Sequence, residues 1–97
     1  MKNLLIGGII ISESPAGTSW KLDLQQNNEY SIRKIWTGEP KLAESIRQAF
    51  PEAELVYDLN SLLEDPEIGL VVIVPPMGDE QPVIGRALQS GKPVRVL

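Results

Sequence analysis

Cysteine and histidine are both missing from this 97-residue chain. Without thiols there are no disulfides, no thiolate zinc sites and no cysteine nucleophiles. Without imidazole the Ser-His-Asp triad and the commonest metal ligand are also gone. No metal site is expected. Positive charge is scarce as well: nine Lys and Arg stand against 13 Asp and Glu, for a net charge of −4 and a pI near 4.7. The basic residues are scattered and form no stripe, which argues against a nucleic-acid partner held by phosphate neutralisation. Long apolar runs are lacking too. Leu4–Ile11 (LLIGGIII) is eight residues long, whereas a membrane span needs about 20. A single Lys2 ahead of it is a thin n-region for a signal peptide, and its β-branched content suits a buried strand better. No membrane association and a cytoplasmic setting are the expectations.

Hydrophobic residues make up 42% of the chain and charged residues 23%, the balance of a packed globule rather than of a disordered segment. The length predicts one domain, residues 1–97. Asn3 to Ile11 is apolar nearly throughout instead of alternating, the pattern of a strand covered on both faces. Gly7 and Gly8 interrupt it and mark close backbone approach. Ser14-Pro15 reads as a helix start, with serine as the cap and proline in the first turn. From there to Asn27 the residues support two readings. Ala16, Trp20 and Leu24 recur at helical spacing. Trp20, Leu22 and Leu24 alternate at strand spacing, with Asn27-Asn28 as a hairpin turn.

Beyond that point the periodicities are clearer. Tyr30 to Trp36 reads as a strand, and Gly38-Glu39-Pro40 opens a helix whose apolar face is Leu42, Ala43, Ile46, Ala49 and Phe50, ended by Pro51. Leu55–Tyr57 is a short strand. Asn60 caps a brief helix carrying Leu62 and Leu63, which stops at Asp65-Pro66. Ile68–Val74 is a second fully apolar strand, closed by Pro75-Pro76. Glu80–Ser90 is a helix with Val83, Ile84, Ala87 and Leu88 inward and Gly91 as its stop; Pro93–Leu97 is a last strand. Strands alternating with helices of about ten residues predict an α/β fold with a parallel sheet covered on both faces.

From Glu39 onward the chain resembles the N-terminal domain of the Gfo/Idh/MocA oxidoreductases. The residues that carry the likeness are EPKLAESIRQAFPEAELVYDLNSLLEDPEIGLVVIVPP and IGRALQSGKPV. The resemblance implies a single three-layer Rossmann-like domain, with a five-stranded parallel sheet in the order 3-2-1-4-5 and helices on both faces. It also implies NAD or NADP as cofactor. Extended backwards without a gap, it makes residues 15–27 a helix and sets the family's G-x-G-x-x-G on Ser12, Glu13, Ser14, Pro15, Ala16 and Gly17. The acid that usually ends the second strand falls on Thr37, and Val74, Pro75 and Pro76 match the segment lying along the nicotinamide ribose. The implied cofactor-binding set is therefore Ser12, Ser14, Ala16, Gly17, Thr37, Val74, Pro75 and Pro76.

The residues at these positions weaken the implied site. Rossmann glycines permit a tight turn, backbone approach to the pyrophosphate and close helix packing. Only the third survives, as Gly17. Ser14 adds a side chain where phosphate would sit, Pro15 removes an amide donor, and Glu13 adds negative charge, although the serine hydroxyls can donate to phosphate. SESPAG reads equally as a plain capped turn between strand and helix. Thr37 lacks the carboxylate that contacts both ribose hydroxyls, and no arginine follows to hold a 2′-phosphate. Glu39 substitutes for the missing acid or, on the plainer reading, sits exposed in the first helical turn as a dipole partner. Asp79 and Glu80 read as dipole partners of the next helix, Glu80 standing where many family members carry histidine. Gly91-Lys92 reads as a helix end with a solvated cation.

No catalytic residue is assigned. In the family the last strand runs into an E-K-P motif with a working lysine and then a substrate domain, whereas this chain stops at Leu97. The expectation is weak dinucleotide binding at most, without catalysis by this chain alone. The alternative is an interaction module that has lost its cofactor. It would pair through Val94, Val96 and Leu97 with a second copy or with a separate catalytic domain.

Overall fold

A computed structural model describes residues 5–11, 19–26, 30–74 and 81–96. Strands and helices alternate in the order β1 (Leu5–Ile11), α1 (Ser19–Gln26), β2 (Tyr30–Thr37), α2 (Ala43–Ala49, entered through a 3₁₀ turn at Pro40–Leu42), β3 (Glu54–Val56), α3 (Leu59–Leu63), β4 (Leu70–Val74), α4 (Gln81–Gln89) and β5 (Val94–Val96). All the pairings are parallel and the sheet order is β3-β2-β1-β4-β5. The fold class, the parallel pairing and the strand order are as expected from the sequence.

Two cores sit on opposite faces of the sheet. On one, Ile9, Ile11, Ile35, Val72 and Val74 meet Leu24 of α1 and Ile46 of α2. On the other, Ile10, Val71 and Ile73 meet Leu59, Leu62 and Leu63 of α3 and Ala87 of α4. This is why β1 and β4 are apolar at every position: successive side chains point to opposite faces, and both faces are covered. Helix α1 settles the ambiguity over residues 19–26. Leu24 is buried and Leu22 exposed, as one stripe of a helix requires. The Asn27-Asn28 turn and the proposed start at Ser14-Pro15 lie outside the described residues.

Gly7 and Gly8 mark close approach, but of side chains rather than of the backbone expected. A β-carbon at Gly8 would stand 2.7 Å from Cδ2 and 2.8 Å from Cγ of Leu62; one at Gly7 would stand 2.8 Å from Cδ2 of Tyr30. The register between β1 and β2 slips at this point. Gly7 pairs with Ile32 and Gly8 with Lys34, so Arg33 is an extra residue, a β-bulge. The slip lets Ile32 and Ile35, three apart, serve the same core, which strict alternation forbids.

Several boundaries differ from the sequence reading, each for a local reason. Asp58, not Asn60, caps α3: its carboxylate accepts from the Asn60 amide at 3.0 Å. Strand β3 ends at Val56, leaving Tyr57 67% exposed. Strand β4 begins at Leu70, because Ile68 belongs to a turn in which its amide donates to the Asp65 carbonyl. Leu88, expected inward, is 61% exposed, since Val83 and Ala87 meet the core on this face. Gly91 ends α4 in the left-handed region (φ 82°), as expected.

Candidate functional site

In a doubly wound sheet the ligand crevice lies at the carboxyl ends of the strands, where the chain stops building to one side and starts building to the other. Here that point lies between β1 and β4. Ile11 pairs with Thr37 on one side and with Val74 on the other. Three strands thus end level, at Ile11, Thr37 and Val74. Of the expected site residues, Thr37 and Val74 stand in this row. Ser12, Ser14, Ala16, Gly17, Pro75 and Pro76 lie outside the described residues.

The turn after β2 is built tightly against β1. The Gly38 amide donates to the carbonyl of Ile11 at 3.1 Å. Thr37 is only 8% exposed. Its hydroxyl accepts from the Glu39 amide at 3.1 Å and reaches the Glu39 carbonyl at 3.4 Å. A threonine hydroxyl closing a turn onto the residue two further on is a common local device. Thr37 therefore spends its polar group on the turn. The plainer expectation for Glu39, an exposed acid in the first helical turn, also needs correction. Glu39 is half-buried, its backbone is extended (φ −112°, ψ 102°), and its side chain makes no capping hydrogen bond to the 3₁₀ turn that follows.

A second polar cluster sits at the other end of the sheet. Asp65, on the loop leading into β4, is buried and accepts from Nε of Arg33 at 2.8 Å and from Nζ of Lys34 at 3.1 Å. It also takes the Glu67 amide at 2.9 Å. Two successive strand residues reach one carboxylate because the bulge at Arg33 breaks their alternation. The Arg33 hydrogen bond, then the Glu67 amide, hold the Asp65 carboxyl well below the usual carboxylate range against the opposing effect of burial. Asp65 in turn raises the already high pKa of Arg33. Lys92 closes the same loop, donating to the carbonyls of Asp65 at 2.8 Å and Ile68 at 2.7 Å. The expectation of a solvated cation there is incorrect. This cluster ties loops together and lies away from the crevice; its one advance signal was the break in alternation at Arg33-Lys34.

A groove of about 360 Å³ lined by Leu24, Tyr30, Ile32, Ala49 and Phe50 also lies at the amino ends of the strands. Among the described residues no cluster of acids is arranged to hold a metal ion, and no helix is long and apolar enough to cross a membrane. Among the described residues, the carboxyl ends of β1, β2 and β4 form a level row with one pinned turn.

Known proteins share this architecture. No family model matches the chain. A scyllo-inositol 2-dehydrogenase (NADP(+)) of Bacillus subtilis is 36% identical over 67 residues, which is 69% of this chain and 18% of that enzyme. The structure of a Bacillus subtilis oxidoreductase superposes with a TM-score of 0.78 at 29% identity, over 97% of this chain and 27% of that one. A Bacteroides fragilis oxidoreductase structure gives 0.70 at 28% identity, over 97% and 27% of the respective chains. The chain thus spans about a fifth to a quarter of these proteins. It is a small Rossmann-like domain of the NAD(P)-binding type that resembles the Gfo/Idh/MocA oxidoreductases and corresponds to only part of their length.

Proposed function

We propose that this domain binds NAD(H) or NADP(H), weakly, across the carboxyl ends of β1, β2 and β4. The contacts would come from Ser12, Ser14, Ala16, Gly17, Val74, Pro75 and Pro76, with Thr37 shaping the turn that borders them. The observation that carries this reading is the level row Thr37–Ile11–Val74 at the point where the strand order reverses. The likeness to an enzyme named for NADP(+) supports it. Binding is weak on this reading because two serines stand in for glycines and Pro15 takes away an amide donor at the phosphate position. The role assigned to this chain is binding, with no chemical step. Titration with NADH and NADPH, read as energy transfer from Trp20 and Trp36 to the nicotinamide, tests it. A saturable signal is expected in the millimolar range or below, and its absence at millimolar cofactor overturns the reading.

A second reading has its own observation. Among the described residues strand β5 pairs only with β4, Val96 on it is 56% exposed, and Leu88 on neighbouring α4 is 61% exposed. We infer that this edge is covered by a partner, either a second copy of the chain or a separate catalytic domain. Sedimentation of the chain alone separates the two: a dimer at tens of micromolar favours the second copy, and a strict monomer rules it out.

A further inference from the structure

The groove at the amino ends of the strands lies at the opposite end of the sheet from the dinucleotide crevice and has no part in that reading. Its floor is Leu24, Tyr30 and Phe50, all buried, and two small, half-buried residues, Ala49 and Ala53, leave the space above them open. At about 360 Å³ it has the size of a small-molecule site, which spans about 300–1,000 Å³ and pairs an apolar lining with a few polar groups. Glu52 stands exposed at its edge. The same residue lines an adjoining recess of about 340 Å³, to which Glu54 contributes a second acid. The one cation among the described lining residues, Arg33, is paired with Asp65 and Glu67. The Glu52 carboxylate has no hydrogen-bond or ion-pair partner among the described residues. Helices α1 and α2 also end at this groove, joined by the Gln25 side-chain amide donating to the Ala49 carbonyl at 2.9 Å. Helix carboxyl ends carry partial negative charge. The last turn of α1 holds no basic residue to offset it, and Arg47 in the last turn of α2 donates to the Tyr57 hydroxyl instead.

We propose that this groove is a second binding site, and that it takes a small organic cation: an ammonium group carried on a short aryl or alkyl body. The body lies over Leu24 and Phe50 in the space left by Ala49 and Ala53, and the cation faces Glu52. The charge follows from the lining, where an unpaired acid and two helix carboxyl ends meet no free cation among the described residues. The size of the occupant follows from the floor. Leu24, Tyr30 and Phe50 are 1%, 4% and 7% exposed, far too little apolar surface for a protein partner, whose stable interface buries about 1,200–2,000 Å². The same modest surface sets the expected affinity in the millimolar range.

Amide NMR titrations with phenethylammonium, phenethyl alcohol and phenylpropionate decide it, since the three probes share one body and differ in charge. Wild type is expected to show saturable shifts centred on Leu24, Ile32 and residues 49–53 with the ammonium. The alcohol should bind about tenfold more weakly, the size of effect that one charge contact near a protein surface produces, and the carboxylate should not saturate. Glu52→Gln brings the ammonium and the alcohol together. Ala49→Leu fills the groove and abolishes the shifts for both, with far-UV circular dichroism confirming that it is folded; Ala53→Leu fills the same space if it is not. Equal binding of ammonium and alcohol by wild type overturns the proposal, as does a preference that survives in Glu52→Gln. Shifts centred elsewhere, or binding that persists in the filled variant, overturn it too, and so does the lack of any saturable shift at millimolar probe. None of these outcomes bears on the dinucleotide reading, which concerns the other end of the sheet.

Discussion

Replacing Gly8 by alanine is the sharpest probe of how the sheet is packed. The new β-carbon would lie 2.7 Å from Cδ2 and 2.8 Å from Cγ of Leu62, and 3.2 Å from Cδ1 of Ile68. Carbon atoms rest about 3.5–4.0 Å apart, so Leu62 has to retreat by roughly 1 Å. It has little room: Leu62 is fully buried in the α3 core, and Cγ, one bond beyond Cβ, moves only if the whole side chain changes rotamer or the helix shifts. Overpacking of this kind costs about 1–3 kcal/mol. Alanine recovers about 0.5–1 kcal/mol of the strand penalty that glycine carries. The balance is a loss of about 1.5 kcal/mol, equivalent to a fall in Tm of about 6–12 °C for a chain of this size. Urea unfolding followed by tryptophan fluorescence measures it as a lower midpoint at unchanged slope. A double-mutant cycle isolates the contact. Leu62→Ala alone costs about 2–5 kcal/mol. In that background the Gly8→Ala methyl enters the space vacated and stabilises by about 0.8 kcal/mol. The coupling is then about 2 kcal/mol, within the range seen for touching residues. A Gly8→Ala protein as stable as wild type, or equally damaged in both backgrounds, would refute the steric argument.

Three further outcomes follow from the polar contacts. Asp65→Asn should destabilise by about 2 kcal/mol through loss of its charge-assisted hydrogen bonds, and it should flatten the acid limb of stability. The Asp65 pKa is lower folded than unfolded, so its contribution is fully present above about pH 4, the unfolded value, and fades as pH falls below that toward the folded value. Urea midpoints between pH 5 and pH 2 (about that range, set by the reference carboxylate pKa) check this, and parallel curves for the two proteins would contradict it. Thr37→Val should lower stability by about 1 kcal/mol, because the Glu39 amide loses its acceptor, whereas Thr37→Ser should retain most of it; identical midpoints for the two variants would dismiss the turn bond. Lys92→Met should cost about 1–2 kcal/mol by releasing the carbonyls of Asp65 and Ile68. Faster hydrogen exchange confined to residues 64–70 is the accompanying signature, and unchanged exchange there would show that the lysine does not hold the loop.

Much of the scaffold was legible in the residues because it depends on short-range rules. The apolar runs in β1 and β4 announce strands buried on two faces. Gly91 announces a helix end, since its left-handed backbone excludes a β-carbon at little cost only for glycine. The candidate site was legible as a place and less so in its residue roles. Thr37 was recognised as a missing acid, but not as the residue whose hydroxyl shapes the turn. Lys92 looked like a solvated cation because nothing in GKPV shows that two carbonyls from a loop more than twenty residues earlier come within reach of its amine. Leu88 looked inward because helical spacing defines a stripe without defining how wide the surface beneath it is.

The residues taken alone therefore determined the alternation of strand and helix and the parallel sheet. Each follows from periodicity, from turn chemistry and from the need to pair every buried backbone group. Whether residues 19–26 form a helix or a hairpin was a local tie that the family resemblance broke toward a helix, and the structure has helix α1 there. The bulge at Arg33, the convergence of Arg33 and Lys34 on Asp65, and the pinning of Gly38 to Ile11 were decided only by tertiary structure. Register and loop contacts are set by partners distant in sequence, and no local pattern encodes which strand end will stand beside which.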